Sequence, residues 1–356
     1  MEKLFFELLQ VAIGKRQRLS VIPTNEEWQL LYEMAKKQSL LGVTFYAIQK
    51  NNIQLDKKLL LQWFSVSEKI RQNNQRANEA AVKLTQFFLE NGFRTCILKG
   101  QGNAITYPDP YIRTSGDIDI WVEGGQSAVL NFVRKYVSEA DFCYNHIEFK
   151  KINGIETEVH YRPLFMNNMI HNKRMQHWFC RVADEQFRHK IEFPDGAGKA
   201  CVPTNDFNRI YQMAHIAKHF FCEGIGFRQI VDYYFVLQQG FTAEERLYDE
   251  RQLKHLGLYK IATAVMFVLK KTLDLEPDLM IVPADERLGR FLLDELLQSG
   301  NFGQHDSRVA HKQGQFAKNI QRLKRDFRLV RYFPSECLWE PVFRWYHFFW
   351  RIRHKK

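Results

Sequence analysis

The chain has 356 residues, 45% apolar and 14% aromatic, which is enough to fill a folded interior and excludes a chain dominated by disorder. Its formal charge of +11 is unevenly spread: residues 301–356 hold thirteen Lys and Arg against four Asp and Glu, so the first 300 residues are close to neutral. A catalytic body that gripped nucleic acid would carry its own positive surface, whereas here the basic character belongs to the tail.

The length favours two domains, or one domain with large helical additions. The six cysteines stand singly with no Cys-x-x-Cys pair, as expected of reduced, mostly buried thiols. Glu2 and Glu7 interrupt the apolar N-terminus, which reads as an amphipathic helix and not as a signal peptide. No run reaches the roughly 18 apolar residues of a membrane span. These features predict a soluble cytoplasmic protein.

Residues 1–91 read as helical throughout. Thr24-Asn25-Glu26-Glu27 caps a helix carrying Trp28, Leu31, Met34 and Ala35, and Asp56 precedes Leu59, Leu60, Trp63 and Phe64. A further helix from about Ala77 to Leu89 ends at Asn91-Gly92. From Phe93 the period changes. Arg94–Leu98 is a short strand, Lys99–Gly102 a turn, Asn103–Thr106 a brief helix and Asp109–Ser115 a loop. A second strand over Asp117–Val122 leads to a helix at about Gln126–Val137. His146–Lys151 and Glu156–Tyr161 then form a hairpin about Asn153-Gly154. Beyond Pro203 the helical period returns, with helices after Asn205 or Asp206, over Phe227–Gln239, and near 243–256, 259–273 and 285–298. The pattern predicts an α+β protein: a mixed core with a small mixed sheet over residues 92–203, a helical region over 1–91, and a helical domain with a basic aromatic tail over 204–356.

The densest chemical signal is Gly116-Asp117-Ile118-Asp119-Ile120. In a strand Asp117 and Asp119 share one face, and two carboxylates so close repel each other unless a cation sits between them. Glu156, Glu158 and His160 likewise share a face of the later strand. If the two strands are neighbours, one glutamate joins the aspartates in an oxygen-rich cradle suited to Mg²⁺ or Mn²⁺ more than to zinc. Glu156 is expected to face solvent.

Leu98-Lys99-Gly100, Arg113, Gly116-Asp117-Ile118-Asp119-Ile120 and Glu158-Val159-His160, in that order, resemble the DNA polymerase beta type nucleotidyltransferase superfamily. More narrowly, they are similar to bacterial proteins described only as nucleotidyltransferase family proteins. The similarity extends through His215–His219 and Gly224–Asp232, covering roughly residues 90–240.

That resemblance implies that Asp117, Asp119 and Glu158 ligate two divalent metals. A nucleoside triphosphate such as ATP would be held by Gly100 and Gln101, where backbone N–H groups approach phosphate oxygens, with Lys99, Gly116, Arg113 and Arg228 around them. An acceptor hydroxyl would then attack the α-phosphorus and expel pyrophosphate. The superfamily carries Gly-Ser or Gly-Gly where this chain has Gly100-Gln101, a departure in the phosphate-binding turn. It also opens the alternative of a non-catalytic nucleotide-binding or interaction protein that keeps the fold.

The acceptor is left open among a small molecule, a protein and RNA. His215 and His219 have zinc-pair spacing but no third ligand nearby in sequence, which favours a structural role at a domain junction. Arg228 and Asp232 are spaced to pair along one helix. The tail Trp345–Lys356 mixes aromatics with cations and could contact RNA or an anionic membrane surface; a last helix packed on the core is the preferred reading.

Overall fold

The computed structural model describes residues 1–137, 139–303 and 315–354. The chain opens with helices α1 (Glu2–Ala12), α2 (Asn25–Lys37), α3 (Leu41–Lys50) and α4 (Lys57–Glu90). The predicted cap of α2 forms as a reciprocal box: the Glu27 N–H donates to Thr24 Oγ1 at 3.3 Å and the Thr24 N–H to Glu27 Oε2 at 2.8 Å. The two helices expected between Asp56 and Leu89 are one helix of 34 residues. Nothing between Ser65 and Ala77 is a Gly or Pro, so no residue there stops the ladder.

The mixed core contains β1 (Thr95–Ile97), α5 (Gln101–Ala104), β2 (Ile118–Val122), α6 (Gly125–Val133), β3 (His146–Ile152) and β4 (Ile155–His160). The sheet order is β1-β2-β4-β3, with β2 parallel to β4 and the outer strands antiparallel to their neighbours. Asn153 and Gly154 have φ of 52° and 79°, the paired positive values of the tight hairpin expected there. Next come α7 (Met169–Gln186) and a second hairpin of β5 (Lys190–Phe193) and β6 (Gly198–Cys201), neither resolved as an element by the sequence pattern. The helical C-terminal part comprises α8 (Asn205–Cys222), α9 (Phe227–Gln238), α10 (Ala243–His255), α11 (Tyr259–Leu273), α12 (Glu286–Ser299), α13 (Gln315–Leu329) and α14 (Pro334–His354). No helix among the described residues is long and apolar enough to cross a membrane.

Two apolar clusters organise these elements. The larger joins α1–α3 to the C-terminal helices, with Phe6 and Phe227 ring centroids 5.3 Å apart, and takes in Trp121 from the site face of the sheet. The smaller fills the opposite face, where Ile118, Ile120 and Val122 meet Phe88, Ala80 and Leu84 of α4. Helix α4 contributes to both, so it spans from the helical frame to the back of the sheet.

The tail helix has two characters. Phe343 stacks on Phe165 at 4.7 Å and Trp350 lies 5.6 Å from Tyr144, both buried, while Trp345 and Phe349 stay 66% and 61% exposed. Lys355 and Lys356 lie outside the described residues.

The loop between α5 and β2 is held from behind. Asn74 of α4 is fully buried, and its Nδ2 donates to the carbonyls of Arg113 (2.8 Å), Ile70 (3.0 Å) and Tyr111 (3.1 Å). Gly42 of α3 meets the same loop so closely that a Cβ there would lie 2.3 Å from the Ile112 carbonyl oxygen. Asn74→Ala orphans these buried acceptors, and urea denaturation should register a loss of about 1–3 kcal/mol.

Candidate active site

Strand alternation aims Asp119 at one face of β2 while Ile118 and Ile120 enter the smaller core. Parallel pairing sets Asp119 opposite Glu158 and Trp121 opposite His160. Asp117, exposed just before β2, joins them, and oxygens of Asp117, Asp119 and Glu158 lie within 4.8 Å of one another. Glu156 points to the surface and pairs with Lys151 at 2.5 Å.

Two cations answer the crowded carboxylates. Lys99, in the turn after β1, places Nζ 3.1 Å from Asp119 Oδ2, and His160 Nε2 is 2.9 Å from Asp119 Oδ1 and 3.3 Å from Glu158 Oε2. Burial alone would lower the His160 pKa, but its hydrogen bonds to Asp119 and Glu158 raise it to about 9, so it carries a proton at neutral pH. Burial pushes Asp119 up, yet Lys99 and then His160 hold it well below the ordinary carboxylate range. Asp117 goes the other way: the Asp119 charge, then burial, raise it to about 6, and Lys99 offsets only part of this.

These residues fit a divalent cation. Asp119 is 2% exposed, and its Oδ2 faces the Lys99 ammonium at 3.1 Å. A buried oxygen in that state, beside two further carboxylates, is a donor set for Mg²⁺ or Mn²⁺.

On one side of the acids is a narrow recess lined by Lys99, Gly100, Gly116, Arg113 and Arg228. Gly100 takes φ of 59°, and its Cα faces the Asp117 carbonyl, so the turn lies against the start of β2. The Gln101 side chain is turned away, its amide donating to Asn78 Oδ1 on α4 at 2.5 Å, and the residue is not among those that line the recess. Gly116 is exposed, with open space where a Cβ would stand.

Arg113 is buried, and its guanidinium grips Asp232 of α9 by two parallel bonds, Nε to Oδ1 at 2.7 Å and Nη2 to Oδ2 at 2.8 Å. The Tyr107 hydroxyl donates to the same Oδ1 at 2.6 Å. Asp232, expected to pair along its helix, is thus taken by a residue 119 positions away in sequence. Arg228 donates Nη1 to the Thr114 carbonyl at 3.2 Å. Burial, then the neighbouring Arg113 charge, lower the Arg228 pKa to about 10. Lys99, Arg113 and Arg228 share the recess with the carboxylates of Asp117, Asp119 and Asp232.

On the other side of the acids lies a cleft of about 290 Å³ bordered by Glu158, His146, His160, Tyr211, Leu164 and Lys218. Lys99 Nζ also meets His215 Nε2 at 3.1 Å, and His215 Nε2 meets His219 Nε2 at 3.0 Å. Burial, then Lys99, hold His215 well below the ordinary histidine range, so it is neutral. The pair joins Lys99 to Glu223 and is not among the metal-ready clusters of the described residues. The sequence pattern had put His160 on the face of Glu158 without giving it a role. For Tyr107 it carried no signal, and for Asp232 it pointed to Arg228 and not to Arg113 or Tyr107, which are distant in the chain.

The raised Asp117 pKa has a definite sign. Its folded value of about 6 exceeds the ordinary 3.8, so the folded chain holds this proton more tightly than the unfolded chain. The group's contribution to stability is therefore present at low pH and lost as pH rises from about 4 through about 6. Asp117→Asn should raise the Tm of the metal-free protein at pH 8 and leave it nearly unchanged at pH 4, as read by differential scanning calorimetry. Asp232→Asn should cost about 3–5 kcal/mol in the same measurement, because it weakens the partner of a buried guanidinium.

No curated protein matches this chain. Among solved structures, an antigenic nucleotidyltransferase-like protein from Paracoccidioides brasiliensis is similar at 14% identity and a TM-score of 0.37, over 60% of this chain and 97% of that one. The profile of a family described as uncharacterised nucleotidyltransferase matches residues 24–274, from the cap of α2 to the end of α11. The chain belongs to that nucleotidyltransferase family.

Proposed function

We propose that this protein transfers a nucleoside monophosphate from a nucleoside triphosphate to an acceptor hydroxyl, with Asp117, Asp119 and Glu158 holding Mg²⁺ or Mn²⁺ as in the polymerase beta type. The observation that carries this reading is the convergence of three carboxylates on two neighbouring parallel strands, beside a recess that Lys99, Arg113 and Arg228 also line. Bound divalent ions supply Lewis acidity there, offsetting phosphate charge and easing ionisation of the attacking hydroxyl.

The chain's own residues divide the rest. Gly100 lets the β1–α5 turn approach the phosphates, and Lys99 and Arg228 set positive charge along the recess. Arg113 contributes charge, but its fork is committed to Asp232, so its main effect is to fix the loop that presents Gly116 and Asp117. Glu158 faces the larger cleft and orients the acceptor hydroxyl, whose oxygen bonds to the α-phosphorus as pyrophosphate departs and the hydroxyl proton is shed.

A second reading, nucleotide binding without transfer, is favoured by Gln101, whose locked side chain stands where the superfamily has a small residue. Incubation with each labelled nucleotide, Mg²⁺ or Mn²⁺ and cell extract separates the two. Transfer of label that falls by on the order of 100-fold or more in Asp117→Asn supports the enzyme. Nucleotide binding in calorimetry without transfer supports the second reading, and loss of neither binding nor transfer in the variant sinks the metal-site assignment. Because Asp117→Asn is expected to gain stability, unfolding does not explain a loss of activity.

A further inference from the structure

The acids do not face the larger cleft alone. Glu158 Oε2 stands 3.2 Å from His146 Nδ1 and 3.3 Å from His160 Nε2, and the two imidazole centroids are 5.0 Å apart. His160 Nε2 is in turn 2.9 Å from Asp119 Oδ1. We propose that His160 and His146 complete, with Glu158, a nitrogen-containing metal site beside Asp119 that takes a first-row transition ion such as Mn²⁺ in preference to Mg²⁺. This rests on the reading of Glu158 as a metal ligand and refines which ion it holds.

Three features carry it. Neighbouring ligands around an ion with bonds of about 2.1 Å stand about 3.0–3.4 Å apart, and Glu158 Oε2 lies 3.3 and 3.2 Å from the two imidazole nitrogens. Hydrogen bonds span the same distances, so the weight falls on the grouping: His146, Glu158 and His160 offer ligand atoms that all lie within 4.8 Å of one another.

The second feature is orientation. His160 is 4% exposed and its Nδ1 lies 3.3 Å from the Arg162 carbonyl. A carbonyl only accepts, so Nδ1–H donates to it and fixes the ring with Nε2 toward the carboxylates; the Nε2 proton of the metal-free protein is the one a metal would displace, and Nδ1–H would remain as the outer support of a metal-bound histidine.

The third is donor chemistry. Imidazole nitrogens are poor ligands for Mg²⁺ and good ones for Mn²⁺ and later first-row ions, and two imidazoles with one carboxylate suit such an ion. His215 and His219 lack this setting: their Nε2 atoms meet each other, one meets Lys99, and no carboxylate completes a cluster among the described residues.

The test loads the full-length protein with Mn²⁺ alone and records three-pulse electron spin-echo modulation. Imidazole ¹⁴N modulation from two nitrogens is expected in the wild type and reduced to that of one in His160→Gln. That variant should bind Mn²⁺ about tenfold or more weakly, with a smaller change for Mg²⁺. If His160 only donates a hydrogen bond to Asp119, the substitution removes a competing cation, and Mn²⁺ binding stays equal or tightens; that result overturns the proposal. So does bound Mn²⁺ without nitrogen modulation in the wild type, a result that needs no variant to fold and leaves the carboxylate site standing. A wild-type protein that binds no Mn²⁺ overturns both the nitrogen site and the carboxylate reading beneath it.

Discussion

Carboxylate repulsion is the constraint around which this molecule is arranged. Unit charges about 4 Å apart in a partly shielded setting interact by about 4 kcal/mol, a large share of a typical domain's net stability. Here Asp119 and Glu158 face each other across a parallel strand pair with Asp117 beside them, so the sheet is tenable only because opposite charge is built in. Lys99 and His160 provide it from the same sheet, one in the turn after β1 and one at the end of β4. Asp117, the most exposed of the three acids, carries the residual strain as a raised pKa.

Holding those acids in register requires a rigid approach to β2. The loop before it is pinned from three directions: by Asn74 of α4, by the close backbone approach at Gly42, and by the Arg113–Asp232 pair. That pair is buried, bidentate and supported by Tyr107, so removing either partner would strand a charge in the interior. The same interaction ties the sheet loop to α9, which brings Arg228 to the recess. Structural support and positive charge at the site therefore come from one cluster.

The helical parts of the chain form a frame more than an appendage. Helices from both ends of the sequence share one apolar core, and α4 runs from that core to the back of the sheet. The tail helix docks one stripe, with Phe343 and Trp350, against Phe165 after β4 and Tyr144 before β3, while Trp345 and Phe349 remain in solvent. Packing on the core and an open aromatic face, weighed as alternatives from the sequence, thus belong to opposite sides of one helix.

What the sequence by itself determined is the local and the periodic. Strand alternation put Asp117 and Asp119 on one face and Glu158 with His160 on one face, and Asn153-Gly154 marked its hairpin because both positions require positive φ. Caps at Thr24 and Asp56 were readable because a side chain satisfies backbone groups only a few residues away. Helix α7 and the β5–β6 hairpin were not separated within the mixed region, and α4 was read as two helices, since periodicity locates apolar faces better than it locates ends. Only the tertiary structure decided that β2 lies parallel to β4, that Gln101 turns its amide into α4, and that Arg113 is spent on Asp232. Each of these depends on groups far apart in the chain, whose meeting follows from which apolar faces pack together, and no short-range pattern encodes that.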